Sequence, residues 1–206
     1  MASRVKAILD ALLIAERLEA TAYATGLESG VLDNLPDHER SYFKAAVSEE
    51  YSHAVALERL GARVSYNMFY FPPGTFRSLE KYLDVLLSLE DVGISAYSAA
   101  IYQFAGRLRA PRLAFYAARI LGIEAEHRVL IRDTKGAVPP NNLCFEVVTS
   151  LSVSENAKAL TPFLSPDQFC GESTEPRFFP SRERVEQLSG RDYCENPGAV
   201  PGLDLH

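Results

Sequence analysis

Two short strings carry the chemistry of this chain, Glu50-x-x-His53 and Glu124-x-x-His127. On a helix, side chains three residues apart stand on neighbouring turns of one face, so a carboxylate and an imidazole at that spacing reach one ion. Two further carboxylates, Glu16 and Glu90, interrupt otherwise apolar runs. The four carboxylates carry four negative charges and the two neutral imidazoles none, a set that two divalent cations balance. Six such side chains leave positions open on both ions for oxygen, peroxide, water or substrate. Mixed oxygen and nitrogen donors favour iron or manganese, whereas structural zinc more often recruits cysteine and closes its site. Glu50 and Glu124 belong to the chelating pairs and can share a second oxygen, which makes them the bridging ligands. Glu16 and Glu90 are then terminal ligands, one per metal, with His53 and His127 completing each side. Ligation needs neutral imidazole, so metal loss is expected below about pH 6.

The positions are linked by an internal repeat. Shifted by 74 residues without a gap, Leu9, Asp10, Leu12 and Leu13 fall on Leu83, Asp84, Leu86 and Leu87. The same shift places Glu16 on Glu90, Tyr23 on Tyr97, Tyr42 on Tyr116, Glu50 on Glu124 and His53 on His127. Two helices therefore repeat as the next two, which predicts a bundle of two pseudo-equivalent helix hairpins.

Proline and glycine set the limits of those helices. The first runs from about Arg4 to Gly30, broken by no residue but Gly26. Asn34-Leu-Pro36-Asp-His-Glu predicts the start of the second, with Asn34 near the N-cap and Pro36 in the first turn, and Gly61 ends it. Ser78 or Thr75 caps a third helix that reaches about Gly106. Pro111 opens a fourth, which Gly136 and the Pro139-Pro140 pair close. Each helix is about 25 residues, or about 38 Å, long. The aromatic loop between Ser65 and Gly74 can cross that distance, and it is expected to lie as a packed strap joining helices that are not neighbours.

Every helix has an apolar seam whose middle alone is charged. Leu9, Leu12, Leu13, Glu16, Ala20 and Tyr23 lie on one face, matched by Leu83, Leu86, Leu87, Glu90, Ile94 and Tyr97. Phe43, Val47, Glu50, His53 and Leu57 form the second seam, and Ala117, Ile120, Glu124, His127 and Ile131 the fourth. An unpaired buried carboxylate costs several kcal/mol, so four at one level require cations. Glu19 competes with Glu16 but falls off the seam and aligns with Gly93, so Glu16 is preferred. Glu49 and Glu126 lie on other faces and are expected to be solvated, as are Asp10 and Asp84. His38 and His206 are not candidates. Tyr23 and Tyr97, two turns from Glu16 and Glu90, are donors to ligand carboxylates, sites of a tyrosyl radical beside an oxidising cluster, or core tyrosines.

The 206 residues carry a formal charge of −6 with no Lys/Arg block, which argues against nucleic acid and anionic lipid as partners. Charge-free stretches such as Val92–Gly106 fall short of a membrane span, and the N-terminus lacks a signal peptide's apolar block. A soluble protein is expected, either cytoplasmic or the mature form of an exported one. Cys144, Cys170 and Cys194 show no C-x-x-C spacing and read as scattered thiols or one disulfide in a secreted tail. Residues 137–206 are expected to be a mostly irregular tail with short helices at Ser154–Phe163 and Ser181–Ser189. That tail is expected to cover one end of the bundle or to join subunits of a homo-oligomer.

Residues 4–135 resemble the ferritin-like di-iron and di-manganese carboxylate superfamily, in which two helices each give a Glu and two each give a Glu-x-x-His. Leu18-Glu19-Ala20-Thr-Ala-Tyr23 and Leu89-Glu90-Asp91-Val92-Gly93-Ile-Ser-Ala-Tyr97 look most like its desiccation-related branch. The resemblance implies an all-α, ferritin-like four-helix bundle over residues 1–136, with a long crossover between its second and third helices. It also implies a buried centre of two iron ions, or of manganese/iron or two manganese ions, that handles dioxygen or hydrogen peroxide, with or without a small organic substrate. The long tail speaks against an iron-storage shell. A stress-protective bundle that binds metal only incidentally and a manganese-type peroxide dismutase are the alternatives.

Overall fold

The computed structural model describes residues 2–169 and 175–190. Helix α1 (Ala2–Ser29) runs uninterrupted, and its one interior glycine has a packing cause. A Cβ on Gly26 would lie 2.2 Å from Cζ and from the hydroxyl oxygen of Tyr82. Tyr82 is fully buried and donates its hydroxyl to the Ala22 carbonyl at 3.3 Å. Helix α2 (Asp37–Arg59) starts about two residues later than its sequence suggests. Pro36 stands at the N-cap, not in the first turn, and Asn34 lies outside the helix; Asp37 and Glu39 face the positive end of the helix dipole instead. Helix α3 (Leu79–Tyr102) is capped by the Ser78 hydroxyl, which accepts from the Lys81 amide, while Thr75 belongs to a separate 3-10 turn. A π-helical turn, Gln103–Arg107, carries α3 to the expected end. Helix α4 (Pro111–Thr134) begins on its proline, whose missing N–H is no loss in a first turn.

The hairpins pair as the repeat predicts, α1 with α2 and α3 with α4, and α1 also packs on α3 and α2 on α4. Carboxylates divide the apolar core into two clusters. Leu9, Leu12, Leu13, Ala54, Leu57, Tyr97, Ala117 and Ile120 fill one end, and Leu18, Tyr23, Phe43, Val47, Leu83, Leu86 and Ile131 the other. The C-terminal half of α1 and the N-terminal halves of α2 and α3 share the second cluster. Helices α2 and α3 therefore run parallel, and the chain between them must travel the bundle's length.

That crossover is a packed strap. Strand β1 (Met68–Phe69) pairs antiparallel with β2 (Arg177–Phe178) of the tail, Met68 facing Phe178. The Tyr70 amide donates to the Phe163 carbonyl at 2.9 Å, and Phe69, Tyr70 and Phe71 are buried. In the tail, a turn of helix, α5 (Val153–Asn156), continues as a 3-10 segment Ala157–Leu164 that contains Pro162. Helix α6 (Arg182–Ser189) is capped by Ser181. Val153, Leu160 and Val185 insert into the two core clusters, so this tail packs along the bundle. Cys144 is an exposed free thiol; Cys170, Cys194 and His206 lie outside the described residues. Among the described residues one helical stretch, Leu79–Arg107, is long and apolar enough to cross a membrane, and it is the core helix α3 with its π extension.

Gly26→Ala is expected to destabilise the protein. The ring of Tyr82 has nowhere to retreat, and overpacking of this kind costs about 1–3 kcal/mol, more than the gain in helix propensity of about 1 kcal/mol. Thermal unfolding followed by circular dichroism checks this, with a lower Tm than the parent expected.

Candidate metal centre

At the level between the two apolar clusters, all four helices turn acids inward. Glu16, Glu50, Glu90 and Glu124 are fully buried, His127 nearly so, and the His53 side chain keeps 12% of its surface exposed. The groups assemble in two overlapping sets. Glu16, Glu50, His53 and Glu124 have ligand atoms all within 4.8 Å of one another, as do Glu50, Glu90, Glu124 and His127. Both imidazoles present Nδ1. That of His53 lies 3.2 Å from Glu16, 3.4 Å from Glu124 and 3.7 Å from Glu50. That of His127 lies 2.7 Å from Glu50 and 3.6 Å from Glu90.

Few of these atoms have a protein partner. Both oxygens of Glu50 and of Glu124, Oε2 of Glu90 and Nδ1 of His127 are buried without a hydrogen bond among the described residues. Glu50 and His127 approach closely but without hydrogen-bond alignment, so both face a common point. Buried polar atoms are otherwise almost always satisfied. Oxygen and nitrogen donors left unpaired around one centre fit metal ions, and the cluster can bind them.

Outside the cluster, other groups orient it. The Tyr23 hydroxyl donates to Glu90 Oε1 at 2.5 Å, and the Tyr97 hydroxyl donates to Glu16 Oε1. Each tyrosine thus holds the carboxylate of the opposite repeat, as antiparallel α1 and α3 require. Burial, followed by the charge of the neighbouring glutamate, raises both phenols well above their ordinary range and keeps them donors.

Two acids set aside on face geometry belong here. Glu49, expected to be solvated, is half-buried and lies 2.9 Å from His127 Nε2. A carboxylate accepting from Nε2–H leaves the Nδ1 lone pair pointing into the cluster. The repeat gave no sign of it, because Glu49 aligns with Ile123. Glu19, expected off the seam, is 1% exposed, with neither oxygen hydrogen-bonded among the described residues. The seam argument fails because Glu19 turns inward toward α3 and α4, among Glu124, Glu50 and Glu90, and not toward water. The usable signal was its alignment with Gly93, where a Cβ would lie 3.2 Å from both Glu19 Oε1 and Glu124 Oε2. The other expectations hold: Asp10 pairs with Lys6 and Asp84 with Lys135 away from the cluster, Glu126 is exposed, and His38 is exposed.

Electrostatics follow from crowding. Burial pushes the Glu16 carboxyl up to about 8 against the opposing charge of His53, and burial followed by the charges of neighbouring glutamates raises Glu19 and Glu124 well above the usual range. Burial opposes ionisation of Glu50 too, but the two imidazoles outweigh it and hold its carboxyl below the ordinary value. Burial lowers both imidazoles, and the surrounding carboxylates more than reverse this, raising them well above 6.5. In the metal-free state, protons do part of the work of cations.

No curated protein and no solved structure matches the chain. Residues 5–137, which span the bundle and hold every member of the cluster, match the model of the ferritin-like domain, and the chain belongs to that family.

Proposed function

We propose that the chain is a di-metal carboxylate oxidoreductase acting on dioxygen or hydrogen peroxide, with two iron ions, or manganese at one or both positions, held by Glu16, Glu50, His53, Glu90, Glu124 and His127. The observation that supports it most is that Glu50 and Glu124 belong to both ligand sets. A carboxylate shared by two sets is placed to bridge two ions, with Glu16 and His53 completing one and Glu90 and His127 the other. Bound ions of this kind supply electron transfer and open positions for oxygen species. The protein's part is to fix the ligands and keep the site dry. Tyr23 and Tyr97 hold the terminal carboxylates, Glu49 fixes the His127 tautomer, and the apolar clusters exclude water. His53 is the most exposed of the six, so small oxidants approach past its ring. A bulky organic substrate would have to displace packed side chains. Within the family, the strings around Glu19 and Glu90 support a reading as a member of the desiccation-related branch.

Protein purified without chelator is expected to carry about two iron or manganese ions per chain by elemental analysis. No bound metal, even after anaerobic iron loading, would leave only a structural bundle. Oxygen release from peroxide with manganese but not with iron would redirect the assignment to peroxide dismutation.

Proton–metal competition predicts a pH dependence. In the unfolded chain the acids titrate near 4.5 and the imidazoles near 6.5. In the folded, metal-free cluster Glu16, Glu19, Glu124, His53 and His127 hold their protons to higher pH, and only Glu50 is shifted the other way. The folded state then binds more protons, so stability falls as pH rises. The Tm of chelator-stripped protein is expected to drop between about pH 5 and 8, while stabilisation by added Mn(II) grows over that range. Metal binding thus weakens from a higher pH than the value near 6 that free imidazole suggests. A metal-free Tm that rises across this range would contradict the account.

A further inference from the structure

The geometry points to Glu19 as a fifth carboxylate ligand of the metal pair, admitted beside Glu124 by the missing side chain of Gly93. This rests on the di-metal reading and alters its stoichiometry of ligands: five glutamates and two histidines, arranged without symmetry.

Three observations carry it. Glu19 is buried with both oxygens lacking any hydrogen-bond partner among the described residues. A neutral buried acid would still seek a donor or an acceptor for its own proton. Glu19 stands one turn beyond Glu16 on α1, so the two side chains project toward the same level of the bundle. Gly93 occupies the equivalent place on α3, one turn beyond Glu90. Glycine in a helix interior costs about 1 kcal/mol relative to alanine, and Gly93 is buried there at ordinary helical geometry. Its cause is spatial: a Cβ would stand 3.2 Å from an oxygen of Glu19 and 3.2 Å from an oxygen of Glu124. The repeat is therefore broken in a complementary way, one copy contributing an acid and the other the room for it. The carboxylates of Glu19 and Glu124 both border that gap, and a cation beside Glu124 is what would give both a partner.

Glu19→Gln keeps the shape of a neutral acid and removes the ligand. Equilibrium dialysis of the full chain against Mn(II) is expected to give two ions for the parent, with one of the two dissociation constants weakened at least tenfold in Glu19→Gln. Gly93→Ala is expected to weaken the same ion, and the double variant to bind no worse than the weaker single one, because both changes remove one contact. Thermal unfolding of the metal-free variants controls for folding, with Glu19→Gln at or above the parent Tm. Two unchanged affinities in Glu19→Gln, or losses that add in the double variant, would overturn the assignment. Absence of metal from the parent itself would instead remove the di-metal reading beneath it.

Discussion

Like charges brought together away from water repel strongly: two carboxylates about 4 Å apart oppose each other by about 4 kcal/mol at the effective dielectric of a protein. Glu16, Glu50, Glu90 and Glu124 meet in that situation with only two imidazoles among them, and buried Glu19 feels the charge of all four. Much else in the molecule follows from it. The apolar core stops on either side of the acids and resumes beyond them. Tyr23 and Tyr97 cross between repeats to donate a hydrogen bond to one oxygen each of Glu90 and Glu16. The cluster retains protons when metal is absent, and the direction of every resolved shift except that of Glu50 reports this.

Burying such a group depends on the parts of the chain outside the four helices. The strap carrying Phe69, Tyr70 and Phe71 lies over the bundle and is tied by β1–β2 pairing and the Tyr70–Phe163 bond to the tail. The tail in turn places Val153, Leu160 and Val185 into the core and closes the outer side of α1. Helix α1 is consequently buried almost all round from Ala15 to Gly26, where a two-layer helix would show a wet face. The tail is part of what makes the centre dry.

Periodicity reveals only what the two repeats share. The 74-residue repeat exposes Glu16, Glu50, His53, Glu90, Glu124 and His127 because each has a partner in type and in position. Helix limits set by Pro111, Ser78 and Gly61 are local and were legible, apart from the exchange of Asn34 for Pro36 at the start of α2, where no side chain caps the helix. Glu19 was misread because a single seam per helix leaves no room for a second inward acid, and the room comes from Gly93 on another helix. Glu49 was misread because its partner, His127, is distant in sequence and no repeat position echoes the contact. Both acids act through asymmetry, which a search for likeness passes over.

The central claim is that cations occupy the acid level of this bundle. Anomalous diffraction from crystals of the Mn(II)-loaded chain, recorded at the manganese edge, tests it most directly. Two peaks are predicted, one among Glu16, Glu50, His53 and Glu124 and one among Glu50, Glu90, Glu124 and His127. Fully loaded crystals with no peak between these side chains would contradict it.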